Sequence, residues 1–177
     1  ATRLGRFKKF PSVVDLDGTL TPTDTLVESL VKAVKVAPLT LLQLPFLLLQ
    51  GRAEFKRAVA AKATITPSLL PYRESLLGYL QQEKADGRRI VLATAAHHSI
   101  AQGVFDHLGI FDDLLATEGA KNLKGASKLA AIRELVGNDF VYAGDSHADL
   151  PIWKGAKGAI LVGTSKAVSR MVRDLVP

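Results

Sequence analysis

Val13-Val14-Asp15-Leu16-Asp17-Gly18-Thr19-Leu20 is a short apolar run that ends in two carboxylates separated by one leucine and then turns through Gly-Thr. Side chains alternate faces along extended chain, so Asp15 and Asp17 point the same way while Leu16 points into a core. Two acids that share one small space cannot both ionise freely unless a cation or hydrogen-bond donors compensate them. The stretch therefore predicts a divalent metal or a proton-sharing pair. Gly18 lets the chain turn sharply directly after the acids.

A second acidic turn lies far downstream. Phe140-Val141-Tyr142-Ala143 is strand-like and breaks into Gly144-Asp145-Ser146-His147-Ala148-Asp149, which puts Asp145 at the end of the strand and Asp149 one helical turn further on. A third run, Ile90-Val91-Leu92-Ala93, ends in Thr94. Three apolar strands that each deliver a polar group at the same end describe the carboxyl edge of an open parallel α/β sheet, where such sheets bind ligands.

With these motifs in order over almost its whole length, the chain resembles the haloacid dehalogenase-like (HAD) superfamily. The resemblance implies that Asp15 is a nucleophile, Asp17 a general acid/base, Thr94 a phosphate-binding hydroxyl and Asp145 a metal ligand, with Asp149 supporting the metal from outside. Asp17 would reach the metal through its backbone carbonyl. It also implies a lysine at the start of a helix before the last acidic turn. Lys124, in Leu-Lys-Gly-Ala-Ser-Lys, fits that place best, and Lys128, one turn later, is the runner-up.

The same residues support a chemical route. A carboxylate attacks phosphorus if Mg²⁺ and a lysine neutralise the phosphoryl oxygens and hold the group in line. Asp15 would become a phosphoaspartate, and Asp17 would protonate the leaving alcohol and then accept a proton from the hydrolytic water. Gly18, Thr19 and Ala95 are candidate substrate-binding positions, because backbone N–H groups of such turns hold phosphoryl oxygens. His147, in the acidic turn, is a further candidate contact. His97 and His98 read as loop histidines without a metal role, since no other ligand stands near them at helical spacing.

Within the superfamily, Asp17 separates the chain from dehalogenases, whose halide leaving group needs no proton. The implied enzyme is a Mg²⁺-dependent phosphoric monoester hydrolase. Phosphomutase or phosphotransferase activity is one alternative, and a non-catalytic docking module for a membrane enzyme is another.

The pattern predicts an α/β fold: a Rossmann-like parallel sheet of about five strands with helices on both faces. The core is expected in residues 1–21 and 90–177, with a helical insertion over 22–89 after the first strand, which the HAD resemblance implies is a small cap. Helices are expected over Thr25–Val36, Ala53–Ala63, Tyr72–Asp86, Ile100–Leu108, Ser127–Val136 and Lys166–Leu175, with further strands near Leu114–Ala116 and Ala159–Val162. A cap excludes water and reads the leaving group.

The oddest segment falls in that cap, at Pro38-Leu-Thr-Leu-Leu-Gln-Leu-Pro-Phe-Leu-Leu-Leu-Gln50. Its apolar residues surround most of a helix, which signals full burial, a partner or lipid. Thirteen helical residues reach roughly 20 Å, short of a hydrocarbon core of about 30 Å, and Pro45 interrupts them. The plain expectation is a hairpin packed on itself or on a second subunit. The sharper one is an apolar groove or interfacial surface for a lipid phosphate. Arg3-Leu-Gly-Arg-Phe-Lys-Lys-Phe10 would suit an anionic leaflet.

The cap wording and Thr94-Ala95-Ala96 resemble the HAD-like domain that precedes UbiA-type membrane prenyltransferases. That resemblance implies a prenyl or polyprenyl-linked sugar phosphate as substrate and a membrane prenyltransferase domain as partner.

The net charge of +6 over 177 residues suits an anionic small molecule or an anionic membrane surface. No nucleic-acid motif accompanies it. The absence of cysteine excludes a disulfide scaffold and is compatible with a reducing compartment. With an Arg-rich start and no secretory pattern, the expected location is the cytoplasm, at the cytoplasmic face of the membrane.

Overall fold

The computed structural model describes residues 9–36, 45–46, 49, 51, 55, 65–118 and 122–176. Among them, five strands form one sheet in the order β3-β2-β1-β4-β5: β1 (Ser12–Val14), β2 (Ile90–His97), β3 (Asp113–Thr117), β4 (Val141–Gly144) and β5 (Gly158–Leu161). Every pairing is parallel. β1 lies at the centre, flanked by β2 and β4. The chain leaves β1 toward β2 and β3 and returns on its other side at β4, so the direction of winding reverses between β1 and β4. A crevice opens at such a reversal, outside the carboxyl ends of the strands.

Alternation along the strands sorts the core into two layers. Val14, Ile90, Leu92 and Ala143 belong to one cluster, and Val13, Val91, Ala93 and Tyr142 to the other. On the first face pack α2 (Glu74–Ala85), through Leu76 and Leu80, and α3 (His98–Leu108), through Val104. On the second pack α4 (Ala126–Val136), α5 (Leu150–Gly155) and α6 (Lys166–Leu175), through Ile132, Ile152, Trp153, Val168 and Val172. A sheet covered on both faces explains why its strands read as continuous apolar runs.

The fold is the expected one, with local differences. Thr25–Val36 (α1) and Lys166–Leu175 are helical over the expected bounds. β2 does not stop at Thr94 but runs on to His97, with an irregularity between Ala93 and His97 where it leaves the register of β3. His97 and His98 are therefore not loop residues. His97 ends the strand and caps α3 by accepting from Ser99 N at 3.3 Å, and His98 begins that helix. After Asp145 the chain makes a 3₁₀ turn, His147–Asp149, and the short α5, neither of which the apolar periodicity announces in so few residues.

α2 lies inside the segment read as cap, yet its Leu76 and Leu80 share a cluster with Leu16, Leu20 and Ile90. Its backbone joins the core directly at Arg73 N, which donates to Leu20 O at 2.9 Å. Leu76 and Leu80 cover the part of the first face formed by β1 and β2. Apart from Phe55, the expected helix Ala53–Ala63 lies outside the described residues, as does most of Pro38–Gln50; Phe46 and Leu49 are described and exposed. Of the basic stretch Arg3–Phe10, only Lys9 and Phe10 are described.

Candidate active site

β1 ends at Val14, so Asp15 and Asp17 sit in the loop beyond it rather than in the strand itself. The loop is closed by Leu20 N and Thr21 N, which donate to Asp15 O and Leu16 O. Leu16 is fully buried and anchors the loop to the core. Gly18 takes φ +76°, and a Cβ there would stand 2.3 Å from Asp145 Oδ2. The glycine is needed twice, for its left-handed backbone and for the close approach of the two acidic turns.

Across that approach, one ligand oxygen each of Asp15, Asp145 and Asp149 lies within 4.8 Å of the others. Asp149 is buried and its carboxylate is already engaged: Oδ2 accepts from Asp145 N at 3.1 Å and Ser146 N at 3.2 Å, and Oδ1 accepts from the Tyr142 hydroxyl at 2.8 Å. Thr19 is fully buried, with its hydroxyl 3.5 Å from Asp145 Oδ1. It faces the acid behind the site, not the open cavity.

The lysine beside Asp15 is Lys128, whose Nζ lies 2.9 Å from Asp15 Oδ1 with only 3% of the side chain exposed. Lys124, the first choice from sequence, is exposed at the rim of the cavity. The helix geometry explains the difference. Lys124 precedes α4, in a loop pinned by Ser127 Oγ, which donates to Lys124 O and Asn122 O. Lys128 stands in the first turn, where side chains lean back toward the N-terminus and so toward the strand ends.

Thr94 is fully buried, and its hydroxyl accepts from Ala96 N at 3.0 Å. It lies behind the cavity, whose wall at this point is Ala95, Ala96 and His97. His147 is exposed and does not line the cavity, whereas its neighbours Ser146 and Ala148 do. The cavity holds about 580 Å³. Asp15, Asp17, Lys128 and Asp145 are among its polar lining residues, and Phe55, Ile100 and Ile152 among its apolar ones.

Burial sets the charge state. It pushes Asp15 up from the usual carboxylate range, an effect that Lys128 opposes and Asp149 reinforces. Asp17 is pushed up to about 6, chiefly by burial, while Thr25 N donates to its Oδ1 at 2.8 Å. Asp145 is pushed up to about 6 by burial and by Asp149 and Asp15. Three clustered carboxylates face one ammonium, an excess of negative charge that a hard divalent cation would relieve. All donors are oxygens, which fits Mg²⁺. The Asp17 carboxylate stands outside this cluster and points at the start of α1.

Sequence reasoning missed Tyr142, fully buried between Lys128 and Asp149. Its signal was positional: it shares a strand face with Gly144, the residue just before Asp145.

A parallel sheet with acids from two adjacent strand ends and a buried lysine defines a class of proteins, the Rossmann-like hydrolases that bind at the carboxyl edge. The chain belongs to the haloacid dehalogenase-like hydrolase family, whose pattern it matches over residues 13–154. It is 41% identical over 167 residues to uncharacterized protein y4nM of Sinorhizobium fredii (strain NBRC 101917 / NGR234), a match covering 94% of this chain and 32% of that protein. The chain thus spans about a third of that relative's length.

Among solved structures it is similar to a protein of unknown function from Bordetella pertussis Tohama I, with a TM-score of 0.67, 14% identity and coverage of 94% and 95% of the two chains. A substrate-bound phosphoserine phosphatase matches with a TM-score of 0.63, 17% identity and coverage of 92% and 90%. A phospho-aspartyl intermediate analogue of phosphoserine phosphatase gives 0.62 at 18% identity, with the same coverage. At such identities the likeness speaks for the fold.

Proposed function

We propose that this chain hydrolyses a phosphate monoester through a phosphoaspartate on Asp15. The observation that carries the proposal is the Asp15–Lys128 pair, 2.9 Å apart in the lining of the cavity, beside the acids of the second turn. Asp15 attacks phosphorus, and the Lys128 ammonium holds the phosphoryl oxygens and offsets their charge. Asp17, protonated near neutral pH more often than an ordinary aspartate, gives its proton to the leaving alcohol. As a carboxylate it then takes one from the water that attacks the phosphoaspartate.

Gly18, Ala95 and Ala96 line the cavity, and their backbone would receive the phosphoryl oxygens. Thr94 acts from behind by fixing Ala96 N. Asp15, Asp145 and the backbone of Asp17 would hold Mg²⁺, with Asp149 steadying Asp145. The cation, when bound, offsets charge on the phosphoryl oxygens.

Phe55, Ile100 and Ile152, among the residues that line the cavity, would favour a hydrophobic leaving alcohol. A prenyl or polyprenyl-linked phosphate at a membrane face is the reading we adopt. The exposed Phe46 and Leu49 support it. No helix among the described residues is long and apolar enough to cross a membrane. A prenyltransferase partner is the corresponding proposal.

The test is phosphate release from soluble and lipid phosphates, with Mg²⁺ or EDTA, by this chain and by Asp15→Asn. Release that needs both Mg²⁺ and Asp15 is expected. No release by a folded, Mg²⁺-binding protein would favour the docking module.

A further inference from the structure

One hydroxyl connects the two halves of the site. Lys128 Nζ donates to Tyr142 Oη at 3.0 Å, and the same hydroxyl donates to Asp149 Oδ1 at 2.8 Å. On one side the chain continues to Asp15, through the 2.9 Å contact with Lys128. On the other it continues through Asp149 Oδ2 to the backbone N–H groups of Asp145 and Ser146. Lys128, Tyr142 and Asp149 are all at most 3% exposed, so water does not substitute for a lost partner.

The ring is held as firmly as the hydroxyl. It sits on β4, with Trp153 packed edge-on at 6.1 Å and with Trp153 Nε1 donating to Tyr142 O. Gly144, on the same strand face, makes the room: a Cβ there would stand 2.8 Å from both Tyr142 Cε1 and Asp149 Oδ2.

We infer that Tyr142 is a positioning residue that sets Lys128 against Asp15 and Asp149 against the Asp145 turn, so that nucleophile and cation site are aligned by one hydroxyl. Only a group that accepts from an ammonium and donates to a carboxylate serves here. Phenylalanine keeps the packing but leaves a buried ammonium proton and a buried carboxylate oxygen without their partner. The inference about rate rests on the phosphatase reading, whereas the inference about Asp149 does not.

The experiment compares the wild-type chain, Tyr142→Phe, Lys128→Met and the double variant, reading phosphate release and, separately, the Mg²⁺ concentration that half-saturates the rise in thermal midpoint. Residues that orient a metal site from behind typically cost 10–100-fold when removed. Tyr142→Phe is accordingly expected to weaken Mg²⁺ binding by at least about tenfold and to lower kcat similarly with KM little changed. In the Lys128→Met background the second substitution is expected to add much less to the loss of rate than it costs alone, because it acts through the lysine.

Gly144→Ala keeps the hydroxyl but crowds the same pair, and it is expected to weaken Mg²⁺ binding too. Unchanged Mg²⁺ affinity in both Tyr142→Phe and Gly144→Ala overturns the inference, as does full additivity with Lys128→Met. A wild-type chain that releases no phosphate overturns the phosphatase reading instead, and the Mg²⁺ titration still decides the role of Tyr142.

Discussion

Lys128 carries its charge on a buried stem against Asp15, whereas Lys124 keeps its charge in solvent at the cavity rim. A donor aimed at developing charge in a dry site contributes roughly 10²–10³ in rate, and a solvated one no more than about fivefold. Lys128→Met should therefore lower kcat for phosphate release by about 100-fold, while Lys124→Met changes it by less than about fivefold. The reverse order would return the role to Lys124.

Asp17 and Asp145 divide similarly. The Asp145 carboxylate is in the cluster and the Asp17 carboxylate is bonded to Thr25 N, outside it. Asp17→Asn should keep Mg²⁺ binding within a few-fold and Asp145→Asn should lose it, as read by calorimetric titration. Both acids are raised from 3.8 to about 6 in the metal-free fold. A raised carboxylate favours the fold most below its unfolded value, and that contribution is lost as pH rises through the folded one. The thermal midpoint of the metal-free protein should fall between about pH 4 and pH 6, and Mg²⁺ should raise it more at pH 7 than at pH 5. An equal rise at both would contradict the shifts.

At the scale of elements, α2 decides where the core stops and the inserted segment begins. Leu80 is fully buried between this helix and β1–β2. Leu80→Ala should cost about 2–5 kcal/mol of global stability, the usual range for a buried leucine, in denaturant unfolding followed across the whole chain. A cost under about 1 kcal/mol would make α2 a detachable part of the insertion.

Strands and long helices were legible because burial on one or both faces imposes a period, and α1 and α6 match their expected bounds. The extension of β2 past Thr94 was not legible, because it carries alanines and a histidine that signal no strand. The packing of α2 against β1 and β2 was not legible either. Leucines at helical spacing say that a helix packs, without saying on what.

Over the whole molecule, the lipid proposal rests on charge and exposed apolar surface. The chain carries +6, and Phe46, Leu49, Val27 and Val31 are exposed. Sedimentation with vesicles should show binding to anionic bilayers that weakens with salt, each cation near such a surface being worth about 1 kcal/mol. Binding to neutral vesicles only, or preferential hydrolysis of soluble sugar phosphates, would sink the lipid reading.

The sequence by itself determined the α/β architecture and that the Asp15 and Asp145 turns meet, but not that the Asp17 carboxylate turns away from Asp15 toward Thr25 N. A parallel strand that leads into Asp15 and another that leads into Asp145 bring their carboxylates to one edge of the sheet. Only the tertiary structure set Lys128 rather than Lys124 beside Asp15, withdrew Thr19 and Thr94 behind the cavity wall, left His147 outside it and set Tyr142 between lysine and acid. Those outcomes depend on the angle at which α4 meets β4 and on the depth at which each side chain stops. Such quantities are fixed by packing between segments far apart in the chain, and no local pattern encodes them.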